Sequence, residues 1–187
     1  MSKKWVPLAV IGGIALILIL FSVSRYNSLV NKSAETDSAW AQVQNVLQRR
    51  ADLIPNLVET VKGYAAHEKD VFTQVANARA KLAGARGPAE AAAADQQLDS
   101  ALSRLLVVVE AYPQLKANAN FTGLQSELAG TENRIATERR RYNEVVRDYN
   151  ASIKRFPSNL FAGMFGFDAR QFFQAQEGAE KVPQVKF

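Results

Sequence analysis

From Val6 to Val23 the chain reads VPLAVIGGIALILILFSV, eighteen residues without a charge. As a helix this run is about 27 Å long, close to the roughly 30 Å of a bilayer's hydrocarbon core. In lipid such a segment has one option, a helix whose backbone hydrogen bonds are all internal. Lys3 and Lys4 precede it, Trp5 sits where an interfacial aromatic belongs, and Arg25 follows. Pro7 falls in the first turn, where its missing N–H would have no partner anyway. The run is expected to be a membrane anchor marked by Trp5, Val6, Leu16, Phe21 and Val23. The rival is a cleaved leader ending near Ser22-Val23-Ser24, for which the apolar run is too long. Lys3, Lys4 and the terminal amine outweigh Arg25 and Lys32, which Glu35 and Asp37 dilute. The excess of inner positive charge then places the N-terminus in the cytoplasm and the main domain outside it.

Beyond the anchor the pattern is helical throughout, with no strand-like alternation. From Tyr26 apolar residues recur three or four apart through Trp40, Val43, Leu47, Ala51 and Ile54. The stripe is narrow, nearer a coiled-coil seam than a broad face. Nothing breaks the pattern from the anchor onward, so the anchor is expected to lead directly into the first helix. Pro55 is expected to interrupt this tract with a turn or a kink, because it cannot donate to the ladder and disfavours helix at Ile54. Helical spacing resumes from Leu57 to Leu82 and ends at Gly84, Gly87 and Pro88. A third tract follows the alanine-rich EAAAAD run, with a stripe at Leu98, Ala101 or Leu102, Leu105, Val108 or Val109, Tyr112 and Leu115. Pro113 predicts its kink or end near Ala111, and Asn118 and Asn120 the turn and cap of the next helix. The fourth tract keeps a seven-residue repeat at Phe121, Leu128, Ile135, Tyr142, Tyr149 and Phe156, interrupted by polar groups near Glu132 and Glu138, and closes at Pro157. The first three tracts each hold about 29 residues, roughly 43 Å, which suits antiparallel neighbours in a bundle.

The expected organisation is therefore an anchor over residues 1–25, a helical bundle over 26–157 and a tail over 158–187. Seven of the ten phenylalanines lie from Phe156 onward. One reading has the tail cap an end of the bundle and bury these rings. The other makes Phe161, Phe165, Phe167, Phe172 and Phe173 an exposed surface for a partner or the bilayer interface.

The 187 residues include no cysteine and one histidine. Thiolate catalysis, disulfides and multi-histidine metal sites within one chain are thereby excluded. The net charge of +5 permits contact with anionic lipid or nucleic acid without requiring it. His67-Glu68 lacks the second histidine of a zinc-binding helix, since position 71 is Val71. His67 is expected to be a surface or packing residue on a helix. Arg139, Arg140, Arg141 and Arg147 are diluted by Glu138, Glu144 and Asp148, against the uninterrupted basic face that nucleic acid requires. The wider charged set, which includes Arg79, Glu110 and Glu138, is read as interhelical ion pairs fixing the register of a repetitive bundle. Its candidate structural network is Arg49, Arg50, Asp52, Glu68, Glu132 and Arg139. Tyrosine recurs before asparagine at Tyr26, Tyr142 and Tyr149, where seam positions favour buried rings with hydroxyls near the surface.

With these residues laid out, the chain resembles the LemA family of bacterial single-pass membrane proteins. The resemblance rests on RYNSLV after the anchor, RRADLIPNLVETVKGYAAHE from Arg49 and EAYPQLKAN from Glu110. It continues through LQSELAGTENRIATERRRYNEVVRDYN from Leu124 and ends in the FP and FGF elements at Phe156 and Phe165. It is thinnest over residues 83–97. The resemblance implies an all-α fold: an N-terminal transmembrane helix followed by an antiparallel up-and-down four-helix bundle, with Pro55 at or near a break between helices. It supplies no biochemical activity. It implies general cell-envelope roles and membrane-protein partners, with relatives in magnetosome membranes.

The expected protein is a non-enzymatic scaffold or adaptor in the bacterial inner membrane. It needs no cofactor, and its partners are the membrane, another protein or copies of itself, not nucleic acid. The alternative is a self-assembling structural protein that shapes the bilayer. An enzyme would need a nucleophile with its base, a phosphate loop or a metal cluster, and no tract offers one.

Overall fold

The computed structural model describes the backbone of residues 5–174 and the side chains of residues 9–174. All regular structure among these residues is helical: α1 Trp5–Lys62, α2 Lys69–Gly84, α3 Gly87–Glu110, α4 Pro113–Lys116, α5 Ala119–Lys154 and α6 Ser158–Phe165. The chain divides into two compact units. The first holds residues up to Ser38 together with Glu144–Arg170, and the second holds Ala39–Asn143 together with the segment from Gln171.

α1 contributes to both units. It is long because nothing between the apolar run and Gly63 stops it, Pro55 included. That overturns the expected turn at Pro55, and the reason is visible in the hydrogen bonds. A proline within a helix leaves the carbonyl four residues earlier without its donor, which here is Ala51. The Nε–H of Arg79 in α2 donates to that Ala51 oxygen at 2.8 Å. The Pro55 ring lies on the exposed side of the helix, while Ile54 and Leu57 beside it are buried. The chain turns only at Gly63–Glu68, where Tyr64 and Ala65 N–H groups both donate to the Val61 carbonyl. His67 lies in this turn, exposed, and not on a helix as expected.

The other punctuation falls where glycine, proline and asparagine place it. α2 ends at Gly84 and α3 starts at Gly87, whose φ of +84° is a backbone conformation that favours glycine. α3 stops at Glu110, short of Pro113, which opens the single turn of α4. Asn118 caps α5, its Oδ1 accepting from the backbone of Asn120 at 2.9 Å and Phe121 at 3.2 Å. The helices are nonetheless unequal, because the second tract begins fourteen residues after Pro55: α2 has 16 residues, α3 has 24 and α5 has 36.

In the second unit α2 and α3 run antiparallel. Lys81 meets Gln97 near the turn and Gln74 meets Arg104 further from it. Buried side chains come from α1 (Val43, Leu47, Ile54, Val61), α2 (Phe72, Val75), α3 (Leu98, Leu105) and α5 (Phe121, Ile135, Tyr142). The non-helical segment from Gln171 adds Phe173, 1% exposed, beside Trp40, whose ring also packs against Tyr142.

In the first unit the large apolar side chains of α1 from Val10 to Leu20 are each between 54% and 67% exposed. Among the described residues one helix is thus long and apolar enough to cross a membrane. Further along, Leu29 joins Tyr149, Ile153 and Ala162 in a buried cluster, with Phe161 and Phe167 packed against it. The seven-residue seam holds at Tyr149 but fails at Phe156, which is 80% exposed, because α5 ends at Lys154 before the repeat closes.

Candidate functional site

The densest polar constellation lies in the second unit and is built on Arg50. The stripe that buries Val43, Leu47 and Ile54 also carries position 50 inward, so a guanidinium 5% exposed sits among apolar neighbours. A buried cation is stable only with partners. α3 supplies two and α5 one. Arg50 Nη1 pairs with Asp95 Oδ1 at 2.7 Å and Glu132 Oε2 at 2.7 Å, and Nη2 pairs with Asp99. Asp95 is as buried as the arginine, while Asp99 and Glu132 keep one side in solvent. Arg50 Nε has no hydrogen-bond partner among the described residues.

Three carboxylates around one guanidinium leave an excess of negative charge, and the titration of both partners follows from it. Burial alone would lower the Arg50 pKa, but Asp95, Asp99 and Glu132 together hold it above its ordinary value. Burial pushes Asp95 up to about 6, against the pull of Arg50, and repulsion from Asp99 and Glu132 adds to the rise. Asp95, the most enclosed of the three, is where a proton relieves the excess.

Beside this network Arg50, Asp99 and Glu132 share the wall of a cavity of about 380 Å³ with Leu57, Leu102 and Leu128. Among the described residues no group of three or more histidine, cysteine, aspartate or glutamate side chains is arranged to hold a metal ion.

Of the six expected network residues, the structure brings together Arg50 and Glu132. Arg49 is exposed and pairs with Glu127 at 3.1 Å. Asp52 accepts from Gln48 one turn back on α1, and Glu68 closes the turn into α2 through its backbone carbonyl. Arg139 acts on the network through its charge, which favours ionised Asp95, and makes its direct contacts elsewhere. Its guanidinium lies 4.5 Å over the Phe173 ring and donates to the Gln174 carbonyl. Asp95 and Asp99 were missed. The alanines around Asp95 spoke only for helix, yet its spacing from Ala91, Leu98 and Leu102 puts it on the buried stripe.

The same comparison revises the expected partner surface. Phe173 is core, and Phe161 and Phe167 pack inside the first unit, so Phe165 and Phe172 alone keep substantial exposure, 53% and 42%. Two tyrosine–asparagine pairs account for the ordering of this segment. In the second unit Tyr142 donates to the Gln171 carbonyl, and Asn143 exchanges two hydrogen bonds with the Phe173 backbone. In the first unit Tyr149 donates to the Asp168 carbonyl, and Asn150 exchanges two with the Arg170 backbone. Of the expected anchor residues, Leu16, Phe21 and Val23 are exposed on α1, and the side chains of Trp5 and Val6 lie outside the described residues.

The fold and its network define a class: an all-helical protein with one helix suited to crossing a membrane and a core tied by a buried, acid-surrounded arginine. The chain belongs to the LemA family, whose model matches residues 39–187. It is 29% identical to magnetosome protein MamQ 2 of Paramagnetospirillum magneticum, over 92% of this chain and 71% of that protein. It is 25% identical to magnetosome protein MamQ of Magnetospirillum gryphiswaldense, over 86% and 70%. Protein LemA of Metamycoplasma hominis is 26% identical over 83% of this chain and 71% of its own length.

Proposed function

We propose that the protein is a non-enzymatic, membrane-anchored scaffold or adaptor in the bacterial inner membrane, which presents a helical face to a membrane-protein partner. In this reading α1, α2, α3 and α5 form an antiparallel up-and-down four-helix bundle, and the main domain lies outside the cytoplasm. The observation that carries it is the bare apolar surface of α1 from Val10 to Val23, on the same helix that supplies Arg50. Arg50 and its three acids bind one another, which ties helices together and supports a structural role for the network. Likeness to two magnetosome proteins supports a membrane setting.

The test is photocrosslinking in living cells with probes at Arg141 and Phe172, both exposed, followed by mass spectrometry. One dominant membrane protein recovered from either site is the expected result. Recovery of self-crosslinks and lipid adducts alone would replace the adaptor with a self-assembling protein that shapes the bilayer.

A further inference from the structure

α6 is an exception to the rule that an exposed helix face is polar. Its sequence, SNLFAGMF, carries no charge. Ala162 and Phe161 turn inward onto Leu29, Tyr149 and Ile153. The outer face carries Leu160 and Met164, 60% and 67% exposed, and Phe156 stands four residues before Leu160 at 80%. Leu160 and Met164, one turn apart on α6, and Phe156, in the turn before it, are each at least 60% exposed.

Their place along α1 suggests what covers them. The ring of Phe165, at the end of α6, packs edge-on against Tyr26 with centroids 4.9 Å apart, and Phe167 packs against the same ring at 5.8 Å. The buried cluster holds α6 to α1 at Leu29. Tyr26 and Leu29 stand three and six residues beyond Val23, the last residue of the uncharged run. At 1.5 Å per residue that is about 4.5 to 9 Å along the axis. The headgroup layer on each side of the hydrocarbon is roughly 5–8 Å thick. α6 is therefore fixed at headgroup depth whenever the apolar run of α1 spans the hydrocarbon. Lys154 and Arg155, both exposed, directly precede Phe156, and Arg25 is exposed on α1. Cations beside a bare apolar helix face are the composition of an interfacial helix.

We propose that α6 is a second membrane contact, lying in the bilayer interface with Phe156, Leu160 and Met164 immersed beneath phospholipid headgroups. This rests on the reading of α1 as a membrane anchor, and the test separates the two. The full chain is reconstituted into vesicles of mixed phosphatidylglycerol and phosphatidylethanolamine. Leu160→Cys, Met164→Cys and Leu16→Cys are labelled singly with an environment-sensitive fluorophore, and helical content is checked by circular dichroism. The expected result is blue-shifted emission at 160 and 164, quenched by nitroxide lipids of shallow depth and protected from aqueous iodide. Leu16→Cys should respond to deep nitroxides. Iodide access at 160 and 164 with a protected position 16 overturns the interfacial helix and leaves the anchor standing. Protection at 160 and 164 without lipid quenching means that protein covers the face, and also overturns it. An iodide-accessible position 16 removes the anchor and this inference with it.

Discussion

Two arginines each meet carboxylates from distant parts of the chain, and burial sets them apart. Arg50, in the second unit, is 5% exposed and holds three acids. Arg170, in the first, has a side chain 42% exposed and pairs with Asp37, itself 62% exposed, at 3.1 Å. Water solvates the second pair whether or not it forms, so its net contribution is small. Removing Arg50 would strand Asp95, whose side chain is 4% exposed, without its buried cation, and that penalty makes the network structurally decisive.

The contrast can be broken most sharply at Arg50. Arg50→Ala should cost about 3–5 kcal/mol in urea unfolding of the detergent-solubilised protein, followed by helical dichroism. An unchanged midpoint would mean that the acids are solvated in the folded state. The next effect belongs to Arg79, whose guanidinium donates to a neutral backbone carbonyl and not to an acid. Arg79→Ala should cost about 1–3 kcal/mol by leaving the Ala51 carbonyl unsatisfied. Combining it with Pro55→Ala, which restores a local N–H, should remove most of that loss, and additive costs in the double variant would refute the link.

A smaller effect takes the form of a slope. Asp95 rises from an ordinary value of 3.8 to about 6 on folding. Between those values the folded chain holds a proton that the unfolded chain has released. This group therefore adds stability as pH falls from about 6 to 4, and the gain is lost as pH rises through 6. Asp95→Asn should flatten stability against pH across that window. A slope unchanged by the substitution would assign it to other groups. The smallest effect is expected at Arg170→Ala, about 0–1 kcal/mol and reduced further by salt. The Asn150 clamp grips the Arg170 backbone and survives the substitution.

Local signals were the legible ones. Gly84 to Pro88 as a break and the stripe of α3 each depend on neighbours within a turn or two, and the structure has both, while the cap of α5 falls at Asn118, two residues before the expected Asn120. What the sequence concealed depends on partners far along the chain. Pro55 reads as a break because its compensating donor, Arg79, is 28 residues from the carbonyl it satisfies. Asp95 reads as part of an alanine-rich helix because its partner is 45 residues away. Phe156 continues a heptad on paper, but the helix that would bury it has ended. For the candidate site, the acidic interruption at Glu132 and the double arginine at Arg49-Arg50 were visible. Both arginines were expected in the network, although helical phase separates them: position 50 lies three residues after Leu47, and position 49 does not share that stripe.

The Arg79 hydrogen bond also sets an order of events during folding. Until α2 docks, the segment around Ala51–Pro55 has a carbonyl that no nearby residue can satisfy, so an isolated peptide spanning it should fray there. The second half of α1 becomes a finished helix only as its neighbour arrives. Helix stability at this point therefore depends on the packing of α2 against α1.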